Sequence, residues 1–274
     1  MRFTKMHGAG NDYIYVNCFE ERLDEARLPE IAVRVSDRRF GVGSDGLVLI
    51  SPSETADFKM RIFNADGSEA KMCGNATRCV AKYVFEHGLT NKNPVAIETL
   101  GGIKTVTMRI DGGKVLAARV DMGAPVFEEP AEQKILLADG TAYDTVCVSM
   151  GNPHCVTFVE DVQCYPVAEK GPLFERHPRF PDRVNAEFVQ VIDQNTLRMR
   201  VWERGSGETL ACGTGACAAA AAAVFTGDCQ KDTNITIHLP GGDLVIRWDS
   251  VKNTIFKTGP AAEICTGTFF LEES

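Results

Sequence analysis

The segment RIFNADGSEAKMCGN, residues 61–75, recurs without a gap as RVWERGSGETLACGT, residues 200–214. The two segments lie 139 positions apart (200 minus 61) and share four identical residues. The identities are Arg61 with Arg200, Glu69 with Glu208, Cys73 with Cys212, and Gly74 with Gly213. Four identities in fifteen positions are weak support for a duplication on their own, so further landmarks are needed at nearly the same spacing.

Two such landmarks occur, in the same order along the chain. A Gly-Asn pair occurs at 10–11 and 151–152, and a Gly-Gly pair at 101–102 and 241–242. The spacing is close to half of the 274 residues, so we interpret the chain as two copies of one domain that divide near residue 120. Two long copies form a pseudo-symmetric pair and not a solenoid, which needs at least three units.

The composition excludes several classes of protein. The 29 basic and 37 acidic residues give a net charge of −8 and a pI near 5.2, which argues against a nucleic-acid-binding surface. The hydrophobic fraction of 44% is that of a globular chain with a core. The longest apolar stretch, residues 216–225, is too short to span a membrane, and the N-terminus has no signal-type apolar segment. We therefore expect a cytoplasmic protein with no membrane or nucleic-acid partner.

Ten cysteines are present, and no two of them form a Cys-x-x-Cys motif. The missing motif weakens zinc-binding and thioredoxin-like interpretations, so we expect no metal. A large chain without an export signal favours reduced thiols over a disulfide framework. Most of these cysteines are then expected to be small buried apolar residues.

Each copy is predicted to contain strands, one buried helix and further strands. β-rich runs bounded by turn residues occur at 13–19, 46–50, 58–63, 95–99 and 103–110, and again at 146–150, 155–159, 187–192, 196–202, 234–239 and 243–248. An amphipathic helix is predicted over 28–35, and helices follow the two repeated cysteines over 73–85 and 212–225. The last is almost wholly apolar and rich in alanine, as expected of a helix surrounded by protein. We predict an α+β fold in which each copy wraps a curved sheet or barrel around a central helix.

The positions of Cys73 and Cys212 have a chemical consequence. Each thiol stands at a predicted helix N-terminus, where free N–H groups and the helix dipole lower a thiol pKa and can bind a carboxylate. If the two copies present both thiols to one carbon, one can remove its proton while the other returns a proton to the opposite face. That is the chemistry of a racemase or epimerase. The alternative role for both cysteines is packing at the helix start.

Five segments carry a resemblance to a known family: MHGAGNDY, FNADGSEAKMCGNATRC, SMGNPHC, ERGSGETLACGTGAC and LPGG. Together they resemble the diaminopimelate epimerases, cofactor-independent amino-acid epimerases of lysine and peptidoglycan biosynthesis. The resemblance implies a homodimer without pyridoxal phosphate or metal that interconverts LL- and meso-2,6-diaminopimelate. It also implies an N-terminal domain over 1–118, a C-terminal domain over 119–261 and a last strand, about 262–274, that returns to the first domain.

The family's site residues transfer to this chain motif by motif. The two acid/base thiols match Cys73 and Cys212. The backbone that grips the substrate's α-carboxylate matches Gly74, Asn75, Gly213 and Thr214. Positions that hold the substrate, including its distal amino-acid end, match Asn11, Asn64, Asn152, Asn185, Glu203 and Arg204. His154 and Glu203 match polar residues that tune the thiol pKa or bind the amino group.

One position departs from the family pattern. Some relatives place a long amide side chain where this chain has Gly46, so that contact does not transfer. Backbone groups or Ser44 could replace it, or the contact is lost.

Three other functions stay open at this point. A related racemase of proline-type substrates would share the two-thiol logic, although Asn64, Asn185 and Arg204 are suited to a second polar end that a compact cyclic substrate lacks. A thiol hydrolase or redox protein would need one cysteine with a histidine base, or two cysteines built to bond, and the duplication explains neither. A non-catalytic binding module would not exchange a substrate proton.

Overall fold

A computed structural model describes residues 1–271 of the chain as two compact units. The first unit comprises Met1–Val120 and the C-terminal segment that begins at Gly259, and the second comprises Asp121–Thr258. The domain boundaries expected from the sequence are 118/119 and 261/262. Residues 272–274 of the expected last strand lie outside the described residues.

The first unit begins with eight strands and two helices. They are β1 (Arg2–Gly8), β2 (Asn11–Asn17), α1 (Leu28–Ser36), β3 (Gly46–Ser51), β4 (Phe58–Asn64), β5 (Glu69–Ala70), α2 (Gly74–Glu86), β6 (Val95–Glu98), β7 (Lys104–Asp111) and β8 (Lys114–Asp121).

The second unit contains nine strands and two helices within the described chain. They are β9 (Val126–Leu136), β10 (Ala142–Ser149), β11 (Pro153–Phe158), α3 (Val167–Glu175), β12 (Asn185–Asp193), β13 (Thr196–Glu203), β14 (Gly207–Thr209), α4 (Gly213–Thr226), β15 (Ile235–Leu239), β16 (Gly242–Asp249) and β17 (Thr254–Gly259). A last strand, β18 (Ala262–Thr268), pairs antiparallel with β1 and so belongs to the first unit.

The two units have the same strand topology. In the first, β1–β2 and β3–β4 are antiparallel, whereas β2–β3 and β4–β6 are parallel. In the second, β10–β11 and β12–β13 are antiparallel, whereas β11–β12 and β13–β15 are parallel. A parallel pair needs a long crossover connection, and each crossover here contains a helix. The duplication inferred from the sequence is therefore present in the pairing, and the α+β prediction is confirmed.

The helix after each repeated cysteine is the core of its unit. Helix α4 packs against β10, β11, β12, β13, β15 and β16, and the alanines from Ala218 to Ala223 are at most 2% exposed. Helix α2 packs against β1, β2, β6 and β7 and buries even Arg78, whose guanidinium donates to Asn75 Oδ1 at 3.0 Å and to the Pro260 carbonyl at 3.2 Å. Both helices are thus surrounded by strands of their own unit.

The matched arginines and glutamates of the repeat form the same ion pair twice. Arg61 Nε lies 2.7 Å from Glu69 Oε1, and Arg200 Nε lies 2.7 Å from Glu208 Oε1. Each pair joins a long strand to the short strand that precedes the cysteine. Partly exposed ion pairs contribute at most about 1 kcal/mol to stability. We therefore interpret these two pairs as fixing the geometry of the turn before each thiol.

Helix α3 is absent from the sequence prediction because it contains both Gly171 and Pro172. The glycine is required by packing, since a Cβ atom there would lie 2.5 Å from Trp202 Cβ. The residues that break the helical pattern thus allow α3 to lie directly on β13.

Candidate active site

Cys73 is the N-cap residue of α2, with an extended backbone (φ −134°, ψ 115°). Its thiol donates to Asn11 Oδ1 at 3.4 Å, and the Asn75 side-chain amide donates to the same oxygen at 3.4 Å. The first unit therefore brings together a predicted acid/base thiol and two predicted substrate-binding asparagines. Gly74 follows directly as the first helical residue.

The orientation of Asn11 is set by Asp45, which the sequence interpretation did not identify. Asn11 Nδ2 donates to Asp45 Oδ2 at 2.7 Å, and the Asp12 amide donates to the same oxygen at 3.1 Å. Burial and the neighbouring charge of Asp12 raise the pKa of Asp45. With its nitrogen on Asp45, Asn11 presents its oxygen to Cys73. The only feature of the sequence that could have identified Asp45 is its position next to Gly46, where this chain departs from the family pattern.

Cys212 occupies the equivalent N-cap position of α4 (φ −109°, ψ 114°) and is 4% exposed. Its sulfur accepts from the Gly215 amide at 3.4 Å and lies 3.6 Å from Thr214 Oγ1. Gly213, the first residue of α4, lies between Cys212 and Thr214 in the sequence. The sulfur therefore receives helix-end donors, as the sequence predicted.

The expectation of a lowered thiol pKa is wrong for Cys212 in this structure. Burial raises the pKa of the Cys212 thiol well above its ordinary value, and the charges of Glu203 and Glu187 raise it further. Thr214 and the Gly215 amide lower it, but by less. Desolvation outweighs the helix N-terminus, so the resting sulfur is a protonated thiol.

Polar residues near Cys212 form a continuous series of hydrogen bonds, called here the hydrogen-bonded chain. Asn152 Nδ2 donates to Thr214 Oγ1 at 3.3 Å, and Asn152 Oδ1 lies 3.1 Å from His154 Nε2. His154 Nδ1 lies 2.7 Å from Glu187 Oε1, with both side chains fully buried. The structure thus joins three residues predicted from the sequence, and adds Glu187. That glutamate was missed because Asn185–Val189 are all buried, so β12 shows no alternation that would single out a polar position.

A second group in this unit contains Asn185, Glu203 and Arg204. Asn185 Oδ1 accepts from the Arg204 amide at 3.0 Å, and Asn185 Nδ2 donates to the Pro153 carbonyl at 3.0 Å. The Arg204 side chain donates to the Asp182 carbonyl at 3.0 Å, and Glu203 Oε1 accepts from Thr209 Oγ1 at 2.5 Å. Asn185 therefore links the Arg204 backbone to Pro153, at the start of β11, through these two hydrogen bonds.

Asn64 lies apart from Cys73. It ends β4 and donates to Ser68 Oγ at 3.0 Å within its own turn. Among residues 1–271, it makes no hydrogen bond to Cys73 or Asn11. Its predicted contact with a substrate stays a prediction.

Comparison with known proteins places both cysteines inside one family. The family model described as diaminopimelate epimerase matches residues 3–128 and 146–264. The chain belongs to the diaminopimelate epimerase family. The diaminopimelate epimerase of Acetivibrio thermocellus is 54% identical over 288 residues and covers 100% of both chains. That of Methanococcus maripaludis strain C5 is 50% identical and covers 97% of this chain and 99% of its own.

Solved structures of more distant proteins have the same fold as this family member. A phenazine biosynthesis protein of the PhzF family from Bacillus anthracis has a TM-score of 0.75 at 19% identity and covers 99% of both chains. A probable proline racemase from Agrobacterium radiobacter K84 has a TM-score of 0.74 at 15% identity and covers 99% of this chain and 93% of its own. At these identities the likeness shows the fold alone.

Gly46 is required by the packing of this chain. A Cβ atom at that position would lie 2.1 Å from the Phe63 carbonyl oxygen and 2.9 Å from the Tyr13 ring. The long amide side chain of some relatives therefore has no counterpart on this backbone. Ser44 does not replace it, because its buried hydroxyl lies 3.0 Å from Ser36 Oγ and 2.9 Å from the Gly46 carbonyl.

Residues 1–271 contain neither a metal-binding cluster nor a helix that could span a membrane. No cluster of three or more His, Cys, Asp or Glu side chains within residues 1–271 could hold a metal ion. Over the same residues, no helix is both long enough and apolar enough to cross a membrane.

Glu175, at the end of α3, supports the segment that carries Arg204. The buried carboxylate accepts from Trp202 Nε1 at 2.8 Å, from the Gly205 amide at 3.0 Å and from Arg183 at 3.3 Å. Burial alone would raise the pKa of Glu175, but these donors outweigh it and hold the pKa below its ordinary value.

We expect Glu175→Ala to lower the free energy of unfolding by about 1–3 kcal/mol at pH 7, because the variant leaves buried donors without an acceptor. A depressed folded-state pKa stabilises the protein above the unfolded value of about 4.3. This contribution is lost as the pH falls through the folded pKa. Urea unfolding of wild type and variant at pH 7 and near pH 3 measures the difference, which should shrink at the lower pH. Glu169→Ala, an exposed carboxylate on the same helix, is the control; an equal loss there would contradict the assignment.

Proposed function

We propose that this protein interconverts LL- and meso-2,6-diaminopimelate. One observation carries the proposal: the family match spans residues 3–128 and 146–264 and so includes both Cys73 and Cys212. The 54% identity to the Acetivibrio thermocellus diaminopimelate epimerase over the whole chain supports the same substrate. The matched N-cap positions of the two cysteines support the chemistry.

In the proposed reaction, one cysteine thiolate removes the proton from an α-carbon. The C–H bond breaks, an S–H bond forms, and the electron pair left on carbon is delocalised into the adjacent carboxylate. The second cysteine thiol then gives its proton to the opposite face, which forms the inverted C–H bond and leaves a thiolate. Raised by burial, the pKa of Cys212 keeps that sulfur protonated at rest, as a proton donor must be.

The carboxylate gains negative charge as the proton leaves. We propose that the backbone amides at the two helix starts, Gly74 with Asn75 and Gly213 with Thr214, bind it, since preorganised donors act most strongly where charge develops. Arg204, Asn64 and Asn185 are proposed to bind the distal amino-acid end of the substrate. His154 and Glu203 are proposed to set the protonation of the Cys212 thiol.

The remaining expectations are also part of the proposal. The resemblance to the family supports a cytoplasmic homodimer that works without pyridoxal phosphate or metal. The place of the reaction in lysine and peptidoglycan precursor synthesis rests on the same resemblance.

The proposal is tested by a short reaction from LL-diaminopimelate in D₂O. With two bases, the group that protonates the product differs from the group that deprotonated the substrate. Early product should therefore carry deuterium at the inverted carbon while the recovered substrate carries little, as measured by proton NMR and mass spectrometry. Equal early labelling of both pools would indicate a single base, and no labelling at all would exclude an epimerase acting on this substrate.

A further inference from the structure

Glu187 is an unusual buried carboxylate. Its side chain lies on β12 with no exposed surface, and Oε1 contacts His154 Nδ1 at 2.7 Å. The other oxygen, Oε2, is buried and has no hydrogen-bond partner among the described residues. An unsatisfied buried carboxyl oxygen loses its hydration without a compensating hydrogen bond, so its presence calls for a reason beyond packing.

The carboxyl group lies against the first turn of α4. A Cβ atom on Gly215 would be 2.7 Å from Glu187 Oε1 and 3.2 Å from Cys212 Sγ. The glycine at position 215 thus leaves room for the Glu187 carboxyl group beside the cysteine. Glu187 is therefore close to Cys212 in space, although 25 residues (212 minus 187) separate them in sequence.

A continuous hydrogen-bonded chain also connects the two residues. It runs from Glu187 to His154 at 2.7 Å, from His154 to Asn152 at 3.1 Å, and from Asn152 to Thr214 at 3.3 Å. The last contact, Thr214 Oγ1 to Cys212 Sγ, is 3.6 Å. Every residue of this hydrogen-bonded chain lies in the second unit. The Glu187 carboxyl group is at one end of the series of hydrogen bonds, and the Cys212 sulfur is at the other.

The direction of the protons in this chain follows from its donors and acceptors. Asn152 gives an amide N–H to Thr214, so its oxygen faces His154 and Nε2 must carry a proton. Nδ1 and Glu187 Oε1 then share one proton, held either by the imidazole or by the carboxyl group. Because Thr214 already accepts from Asn152, its own hydroxyl proton is available to the Cys212 sulfur.

We propose that Glu187 is a positioning residue, which keeps the proton on His154 Nε2 and thereby aims the Thr214 hydroxyl at the Cys212 sulfur. A donor at that sulfur favours the thiolate that forms when Cys212 gives up its proton. The inference rests on the proposed role of Cys212 as an acid/base thiol. Glu203 on β13 is a charged residue that faces Cys212 but does not belong to this hydrogen-bonded chain. Its charge raises the pKa of both Cys212 and Glu187.

Two substitutions separate positioning from charge. In Glu187→Met, Nδ1 of His154 loses its partner and the Nε2 proton is no longer held. Asn152 can then turn over, and the Thr214 hydroxyl donates to it and not to the sulfur. In Glu187→Gln, the side-chain amide donates to Nδ1 and so keeps the proton on Nε2, as a protonated glutamate would.

The test uses the full-length protein without substrate. Each cysteine is alkylated with iodoacetamide across a pH series, and rates are assigned by peptide mass spectrometry. Both variants lack the carboxylate whose charge raises the pKa of Cys212, so the comparison between them isolates positioning. We expect the alkylation midpoint of Cys212 to lie at higher pH in Glu187→Met than in Glu187→Gln, and its rate at neutral pH to be about 10–100-fold lower, a range taken from the loss of outer hydrogen-bond partners at metal sites. Cys212 in Glu187→Gln should react at least as fast as in wild type, and Cys73 should react alike in all proteins.

A matched control is available on β11. Thr157 Oγ1 is also buried and has no hydrogen-bond partner among residues 1–271, but it is not a member of the hydrogen-bonded chain, so Thr157→Val should leave Cys212 unchanged. Circular dichroism and thermal midpoints verify folding, and Glu187→Leu replaces the methionine variant if that protein does not fold. Equal alkylation of Cys212 in Glu187→Gln and in a folded Met or Leu variant would overturn the proposal. So would a shift of the same size between Thr157→Val and wild type.

Turnover separates this inference from the proposed function. If both hold, Glu187→Met lowers kcat for diaminopimelate by a similar factor with little change in KM, and Glu187→Gln restores it. A shifted alkylation profile with unchanged kcat would support the positioning role and overturn the acid/base role of Cys212.

Discussion

Cys73→Ala and Cys212→Ala should each lower kcat for diaminopimelate by a factor of about 10²–10⁴ or more, the range for loss of one acid/base group. Each thiol is proposed to serve as base in one direction and as acid in the other. Alanine can do neither, so the loss is expected in both directions of the reaction. Steady-state assays started from LL- and from meso-diaminopimelate measure it.

Each unit supplies its own control for this experiment. Cys164, in the second unit, and Cys265, on β18 of the first, are free and exposed, so their replacement by alanine should leave turnover unchanged. Near-normal turnover in Cys73→Ala or Cys212→Ala would show that the thiol concerned only packs at its helix start. A large loss in Cys164→Ala or Cys265→Ala would show that loss of any cysteine impairs the enzyme.

Arg204→Ala should lower kcat/KM for diaminopimelate by roughly 10–200-fold, because leaving a buried charged group without its partner costs about 1–3 kcal/mol. Asn185 holds the Arg204 backbone at 3.0 Å, and we propose that the side chain reaches the distal carboxylate of the substrate. Lysine lacks that carboxylate and should be a very poor substrate for the wild type.

The matched control for Arg204 is Arg176→Ala, which replaces the exposed arginine at the C-cap of α3 in the same unit. It should retain wild-type kcat/KM. If lysine turned over as well as diaminopimelate, the substrate would be wrong even with the thiol chemistry intact. If Arg204→Ala retained full activity, the distal contact would have to be made by other residues.

The strongly patterned elements could be predicted from sequence. The helices after both cysteines begin one residue later than expected, at Gly74 and Gly213, because each cysteine is the N-cap. The eleven predicted strands are all present within a few residues of their expected bounds. Strands such as β1 and β9 were missed because their mixed polar and apolar residues show little apolar pattern, as in β9, where only Ile135 is buried.

Residues that act through three-dimensional contacts could not be predicted. Asp45 and Glu187 orient predicted site residues, yet each lies far from its partner in sequence. The pKa of Cys212 was misjudged for a related reason. The helix N-terminus is visible in the sequence, but the burial that outweighs it depends on how completely the strands enclose the sulfur.

The alanine-rich helix α4 has a consequence for mutational scanning and directed evolution of this enzyme. Since strands surround Ala218–Ala223, any larger side chain overpacks the unit by typically 1–3 kcal/mol, whereas glycine costs about 1 kcal/mol in helix propensity. Alanine is thus favoured by two opposing constraints at once. A library of variants should show that Ala218–Ala223, a contiguous block of positions after Cys212 in the sequence, tolerate few substitutions. That block would report the fit between a helix and its enclosing strands, and it should not be mistaken for an extension of the catalytic site.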